Sequence, residues 1–173
     1  GTPEGTIKVR DSFSNAIRKG TCNSEELSVW NGSIYFSGWN STEQYIGCEL
    51  WKTDGSTEGT MILKSEGVDF DPSAFIEVNG SLIFSEGRTL WKSDGTENGT
   101  VKFFEEEWDW NWEERSPRDL VVINNLLYLT MVDEGGSMRG LYVTNGTTNG
   151  TVLLMEDVDY IASRIWNDPA RFE

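Results

Sequence analysis

Histidine does not occur anywhere in the 173 residues, and its absence removes the commonest general base near neutral pH and the commonest zinc ligand. Ser-His-Asp and Cys-His nucleophilic catalysis are excluded with it. Cysteine is nearly absent too. Cys22 and Cys48 are the only two and form no Cys-x-x-Cys pair, which excludes a metal knuckle or a thioredoxin-like redox site. No apolar run approaches the roughly 20 residues of a membrane-spanning helix. The first residues also lack the charged and apolar regions of a signal peptide, so the chain is expected to be a mature form or cut from something longer. Basic side chains are scarce: 14 Lys and Arg stand against 29 Asp and Glu, a formal charge of -15. A nucleic-acid binder needs cations to displace phosphate counterions, and an anionic lipid surface would repel this chain, so neither nucleic acid nor membrane insertion is expected.

What the sequence does contain is a repeat. Glu49-Leu50-Trp51-Lys52-Thr53-Asp54-Gly55-Ser56-Thr57-Glu58-Gly59-Thr60 returns as Thr89-Leu90-Trp91-Lys92-Ser93-Asp94-Gly95-Thr96-Glu97-Asn98-Gly99-Thr100. A worn third copy runs from Gly140 to Thr151, and Gly1-Thr2-Pro3-Glu4-Gly5-Thr6 matches the back half of the same unit. Before each full copy lies a second recurring piece, centred on Asn31-Gly32, Asn79-Gly80 and Asn124-Asn125. These pairs supply the positive φ angles of a type I′ turn, and their aromatic and β-branched flanks suit pleated strands, so each piece is a β-hairpin. The Asp-Gly-(Ser/Thr)-x-x-Gly-Thr element joins the Leu-Trp strand to a following apolar strand through a second sharp turn.

Each unit therefore reads as four short antiparallel strands, with a spacing of 40 residues from Trp51 to Trp91 and 51 from Trp91 to Tyr142. The fold class expected is all-β, a β-propeller-like array of four-stranded antiparallel blades with three complete units plus parts of a fourth. The units span approximately 22–64, 72–104 and 117–155, with a partial unit made of 1–10 and 161–173. One such sheet cannot bury both faces alone, so units must stack, and Trp30, Phe36, Trp51, Phe84 and Trp91 are the expected contacts between neighbours. A chain that starts and stops within a repeat is expected to be a window on a longer array, although a four-bladed ring is the alternative.

The Glu49 to Thr60 segment resembles the ELWxxDGT repeat of large bacterial surface and secreted proteins, which reads Glu-Leu-Trp-x-x-Asp-Gly-Thr-x-x-Gly-Thr. The first copy departs from it at Ser56 and the second at Thr89, while the third keeps only Leu141, Gly146, Thr147, Gly150 and Thr151. The resemblance implies an extracellular or cell-surface location and propeller-like architecture, and it carries over no catalytic residue. Architecture does not settle activity.

With that location implied, four sets of residues become candidate sites. Cys22 and Cys48 lie off the repeat pattern, and a disulfide between them is preferred over two separate thiols because extracellular thiols are normally oxidised. Six Asn-x-Ser/Thr sequons begin at Asn31, Asn40, Asn79, Asn98, Asn145 and Asn149. The turn motifs themselves generate all of these except Asn40, which makes Asn40 the best single candidate for a glycan. Acidic residues recur after each fourth strand at Asp69 and Asp71, Asp109 and Asn111, and Asp157 and Asp159. Alternating oxygen ligands suit calcium, with solvated loop acids as the simpler competing reading. Finally, Trp108, Trp110 and Trp112 alternate within the acidic stretch 105–114, where they either cover a blade edge or contact a sugar or a partner subunit.

The functional expectation is a non-enzymatic extracellular structural or adhesive repeat protein whose partner is another copy of itself, assembled head to tail into filaments or a surface layer. A carbohydrate-binding propeller using the 105–114 insertion is the rival, with a glycosidase behind it.

Overall fold

The computed structural model describes residue 22 and residues 27–39, 48–67, 70–106, 116–133 and 137–156. Among them all regular structure is β, in three four-stranded antiparallel sheets. The first comprises β1 (Ser28–Trp30), β2 (Ser33–Trp39), β3 (Cys48–Thr53) and β4 (Met61–Lys64). The second comprises β5 (Ser73–Val78), β6 (Ser81–Glu86), β7 (Thr89–Ser93) and β8 (Val101–Glu105). The third comprises β9 (Ser116–Ile123), β10 (Leu126–Val132), β11 (Met138–Thr144) and β12 (Val152–Glu156). Within each sheet the strands follow one another in chain order, so each repeat is one up-and-down meander.

The first hairpin of every sheet turns where the sequence supplies left-handed residues. Asn31 and Gly32 have φ of 46° and 73°, Asn79 and Gly80 52° and 74°, and Asn124 and Asn125 51° and 63°. Two successive positive φ angles give the turn a twist that matches the flanking strands. From these turns the register places Phe36 opposite Trp51, Phe84 opposite Trp91 and Leu129 opposite Tyr142. A bulge follows at the same repeat position in all three sheets, between Leu50 and Trp51, Leu90 and Trp91, and Leu141 and Tyr142. The extra residues in the opposing fourth strands are Leu63, Phe103 and Leu154.

Because side chains alternate along a strand, each sheet offers one face to the sheet before it and the other to the sheet after it. Trp30, Tyr35, Leu50 and Leu63 of the first sheet pack on Leu82, Phe84 and Trp91 of the second, with Phe70 closing the same cluster. Ile83, Leu90 and Phe103 of the second sheet pack on Leu127, Leu129, Met131 and Tyr142 of the third. Fully burying an aliphatic or aromatic side chain of this size stabilises by about 1.5–3 kcal/mol, so these two seams hold the sheets together. The strands β1, β5 and β9 adjoin in succession.

The expected contact residues divide between the two faces. Trp30, Phe84 and Trp91 lie in the first seam, where Phe84 and Trp91 stack at 6.0 Å. Phe36 and Trp51 also stack on each other, at 6.3 Å, but on the opposite face of the first sheet, away from the second. They hold the positions that Phe84 and Trp91 hold one repeat later, and those positions always face backwards along the chain.

Candidate functional site

The residues that recur most faithfully are spent within their own turn. Asp54 Oδ1 accepts the Ser56 N–H at 2.8 Å and the Ser56 hydroxyl at 2.7 Å. Ser56 Oγ in turn accepts the Gly59 N–H at 2.9 Å, and the Thr60 hydroxyl donates to the Ser56 carbonyl at 2.6 Å. Thr53 Oγ1 accepts the Gly55 N–H at 3.0 Å and lies 2.6 Å from Thr60 Oγ1, which ties the start of the turn to its end.

The second turn repeats every bond: Asp94 Oδ1 takes the Thr96 N–H and hydroxyl at 2.9 and 2.7 Å, and Ser93 Oγ meets Thr100 Oγ1 at 2.7 Å. In the third, the side-chain amide oxygen of Asn145 replaces the carboxylate, accepting from the Thr147 N–H at 3.1 Å and its hydroxyl at 2.7 Å. The hydroxyl of Ser56 lowers the Asp54 pKa below the usual carboxylate value, and that of Thr96 does the same for Asp94, each helped by the backbone N–H of the same residue. Gly99 is required sterically, since a Cβ there would lie 2.0 Å from Asp94 Oδ1. These aspartates hold a turn closed and are engaged before any substrate arrives.

A second set of polar groups joins one sheet to the next. Lys52 Nζ donates to the Gly95 carbonyl at 3.0 Å, and Thr148 Oγ1 to the Phe103 carbonyl at 2.6 Å. Asn79 Nδ2 donates to the Asn125 carbonyl at 3.0 Å, joining the first hairpin turns of the second and third sheets. Tyr142, standing where the other repeats have tryptophan, donates its hydroxyl to Glu106 Oε1 at 3.0 Å. Tyr35 crosses the first seam, and its hydroxyl pKa is raised by burial and then by the nearby Asp94 carboxylate.

Of the candidate sites read from sequence, the disulfide is formed: Cys22 and Cys48 are bonded, with Cα atoms 5.5 Å apart. Asn31, Asn79, Asn98, Asn145 and Asn149 are all exposed. Asn79 and Asn145 already use their amide groups in hydrogen bonds. Of the six acidic-loop residues only Asp71 is described, and its Oδ1 accepts the Ser37 hydroxyl at 2.9 Å across the first seam. Asp69, Asp109, Asn111, Asp157 and Asp159 lie outside the described residues, as do Asn40 and the three tryptophans Trp108, Trp110 and Trp112. Among the described residues no three Cys, Asp or Glu side chains are grouped to hold a metal ion.

The structure adds a cleft that the sequence did not signal. It measures about 480 Å³ and lies between β5 and β9, lined among others by Ser73, Ala74, Ser85, Ser116, Arg118 and Asp119. Ala74 and Asp119 have φ of 53° and 50°, rare for residues other than glycine, and each sits five residues before its hairpin asparagine. Both fall at register shifts in their sheets, where a bulge turns the strand and re-aims its side chains. The Asp119 carboxylate accepts the Thr130 hydroxyl at 2.9 Å, and Ser73 Oγ lies 3.1 Å from Ser85 Oγ. A more regular spacing of alternating residues in β5 and β9 would have been needed to mark these bulges, because neither carries the glycine that usually does.

Compared with models of known protein families and with curated proteins, the chain finds no match.

Proposed function

We propose that the chain is a section of an extracellular, non-enzymatic β-propeller-like repeat array that serves as a structural or adhesive element. One observation supports this reading above the others: the repeat-defining Asp, Ser, Thr and Gly residues all serve turn closure, and the repeat-defining Leu and aromatic residues all serve packing. A unit built in this way is a stackable sheet. The Cys22–Cys48 disulfide is consistent with an extracellular location. The sequential adjacency of β1, β5 and β9 fits strands gathered around a common axis, as blades require. The resemblance to bacterial surface repeats points the same way.

Release of reducing sugar from a panel of polysaccharides tests the non-enzymatic part, with no turnover as the expected result. Robust turnover would sink it.

A second reading, a carbohydrate-binding array, is favoured by the cleft between β5 and β9. Arg118 and Asp119 set opposite charges side by side among three serine hydroxyls, a lining suited to a neutral polyhydroxylated ligand. Glycan-array binding lost in Arg118→Ala, with folding intact, would support that reading. Binding that survives in the variant would remove the cleft from it.

A further inference from the structure

Three repeats allow the same position to be compared in three environments. Leu63 and Phe103, the extra residues of the fourth-strand bulges, are 4% and 6% exposed, but Leu154 at the same position is 51% exposed. Tyr35 and Ile83 are fully buried, whereas their counterpart Tyr128 is only half-buried. Leu50 and Leu90 are likewise fully buried and Leu141 half-buried. In every case the first two are covered by the following sheet, and no described sheet follows the third.

The register makes this a continuous surface. Val121, Tyr128, Val143 and Val152 form one cross-strand row over all four strands, and Leu141 pairs with Met155 in the adjacent row.

The opposite end of the stack is open along β1 and the start of β2, although Trp51 on the same face is only 2% exposed. Phe75 and Leu120 pack into the seams in front of their sheets, but Leu27, at the same repeat position, is 65% exposed. Ile34 and Phe36 are half-buried where Leu82, Leu127, Phe84 and Leu129 are fully buried. Of the eleven large hydrophobic residues most exposed to solvent, six lie on these two end faces and have no equally exposed counterpart in a covered sheet: Leu27 and Val29 at the front, and Val121, Ile123, Leu154 and Met155 at the back; Val152 is exposed to the same degree as its counterparts Met61 and Val101. Scattered apolar exposure is ordinary, but apolar rows concentrated on two opposite sheet faces mark interfaces.

On the reading of the chain as a section of an array, we infer that the Val121/Tyr128/Leu154 face docks the Leu27/Ile34/Phe36 face of a second copy, continuing the seam that already joins the first sheet to the second and the second to the third. The occupant is a like unit because the two established seams use these same repeat positions, aromatic and aliphatic on both sides. A face that meets a different face on its neighbour gives heterologous growth, with no two-fold axis to stop it at a dimer. The charge of -15 opposes the approach of two copies. Added salt screens that repulsion and leaves the apolar contact intact, so association strengthens with ionic strength.

Sedimentation velocity on the full chain and two variants tests this. Val121→Glu/Leu154→Glu blocks the back face and Leu27→Glu/Ile34→Glu blocks the front, each charge placed at an exposed or half-buried position, with circular dichroism checking the fold. The wild type associates progressively with concentration, each variant alone associates about tenfold more weakly or worse, and an equimolar mixture of the two gives a discrete one-to-one dimer, since one intact back face remains to meet one intact front face. That rescue also certifies that both variants fold. A front-blocked variant that dimerises alone would mean that back faces pair with each other, and would overturn the head-to-tail geometry. A monomeric wild type at all concentrations and salts, as when other parts of the same chain cover the back face, would overturn the docking itself. Either result leaves the non-enzymatic reading standing, because only sugar turnover bears on that.

Discussion

Ser93 and Thr100 share a hydroxyl-to-hydroxyl hydrogen bond of 2.7 Å at the base of the second turn, and both are buried. The Ser93 oxygen also accepts the Gly95 N–H, and the Thr100 hydroxyl also meets the Thr96 carbonyl, so one pair of side chains satisfies groups on both arms of the turn. Thr100→Val keeps the shape and removes the hydroxyl, leaving Ser93 and the Thr96 carbonyl short of a partner. The expected loss is about 1–3 kcal/mol of unfolding free energy. Urea titration measures it, and Thr60→Val, at a position slightly less deeply buried (8% against 1% exposed), is expected to lose somewhat less.

Gly99 and Gly32 are needed for different physical reasons, and the substitution to alanine separates them. At Gly99 the new methyl group would overlap the Asp94 carboxylate, whose bonds close the turn, so Gly99→Ala must break that hydrogen-bond set. At Gly32 nothing lies within 4 Å of the added Cβ, and the cost is only that of holding alanine at a φ of 73°, roughly 1–2 kcal/mol. Thermal unfolding is expected to rank Gly99→Ala as the more destabilised. The reverse order would show that the carboxylate moves aside freely.

The group that closes the turn is a carboxylate in the first two repeats and an amide in the third, which provides an internal control for pH. Asp54 and Asp94 have pKa values lowered in the folded state, so they bind protons less readily than in the unfolded chain. Their contribution to stability is therefore complete above the ordinary carboxylate value of about 4 and is lost as pH falls through the lowered folded values. Asn145 does not titrate and holds its turn by the same two bonds. Amide exchange at Ser56 and Thr96 is expected to accelerate in acid relative to Thr147. Asp94→Asn should flatten the response at Thr96 alone.

Much of this architecture was legible in the sequence because its determinants are local. Asn-Gly pairs set a positive φ regardless of what surrounds them, and the period-two alternation around Trp51 and Trp91 assigns residues to faces. Alternation does not say which neighbour covers a face, however, and for that reason Phe36 and Trp51 were expected between units and instead lie on the leading face of the first sheet. The bulges at Ala74 and Asp119 were hidden for a related reason. Their backbone is held left-handed by the pairing on either side and not by residue preference, so the cleft that they shape left no trace in composition.

The disulfide gives the sharpest test of how independently each sheet stands. Cys48 opens β3 opposite Trp39, while Cys22 precedes β1, so the bond ties the approach to the first sheet onto its third strand. Both cysteines are buried, and they are 26 residues apart in sequence. A loop of that size restricts the unfolded chain by an amount that stabilises the fold by about 3 kcal/mol. The second and third sheets contain no cysteine and share a seam in which the first sheet takes no part. Cys22→Ala/Cys48→Ala, or reduction, should therefore lower the unfolding midpoint, with hydrogen exchange rising first in β1 to β4 and least in β10 and β11. In an array whose sheets are held mainly by their neighbours, loss should spread from the weakened unit outward. Uniform acceleration across all three sheets would instead mean that they unfold as one cooperative block.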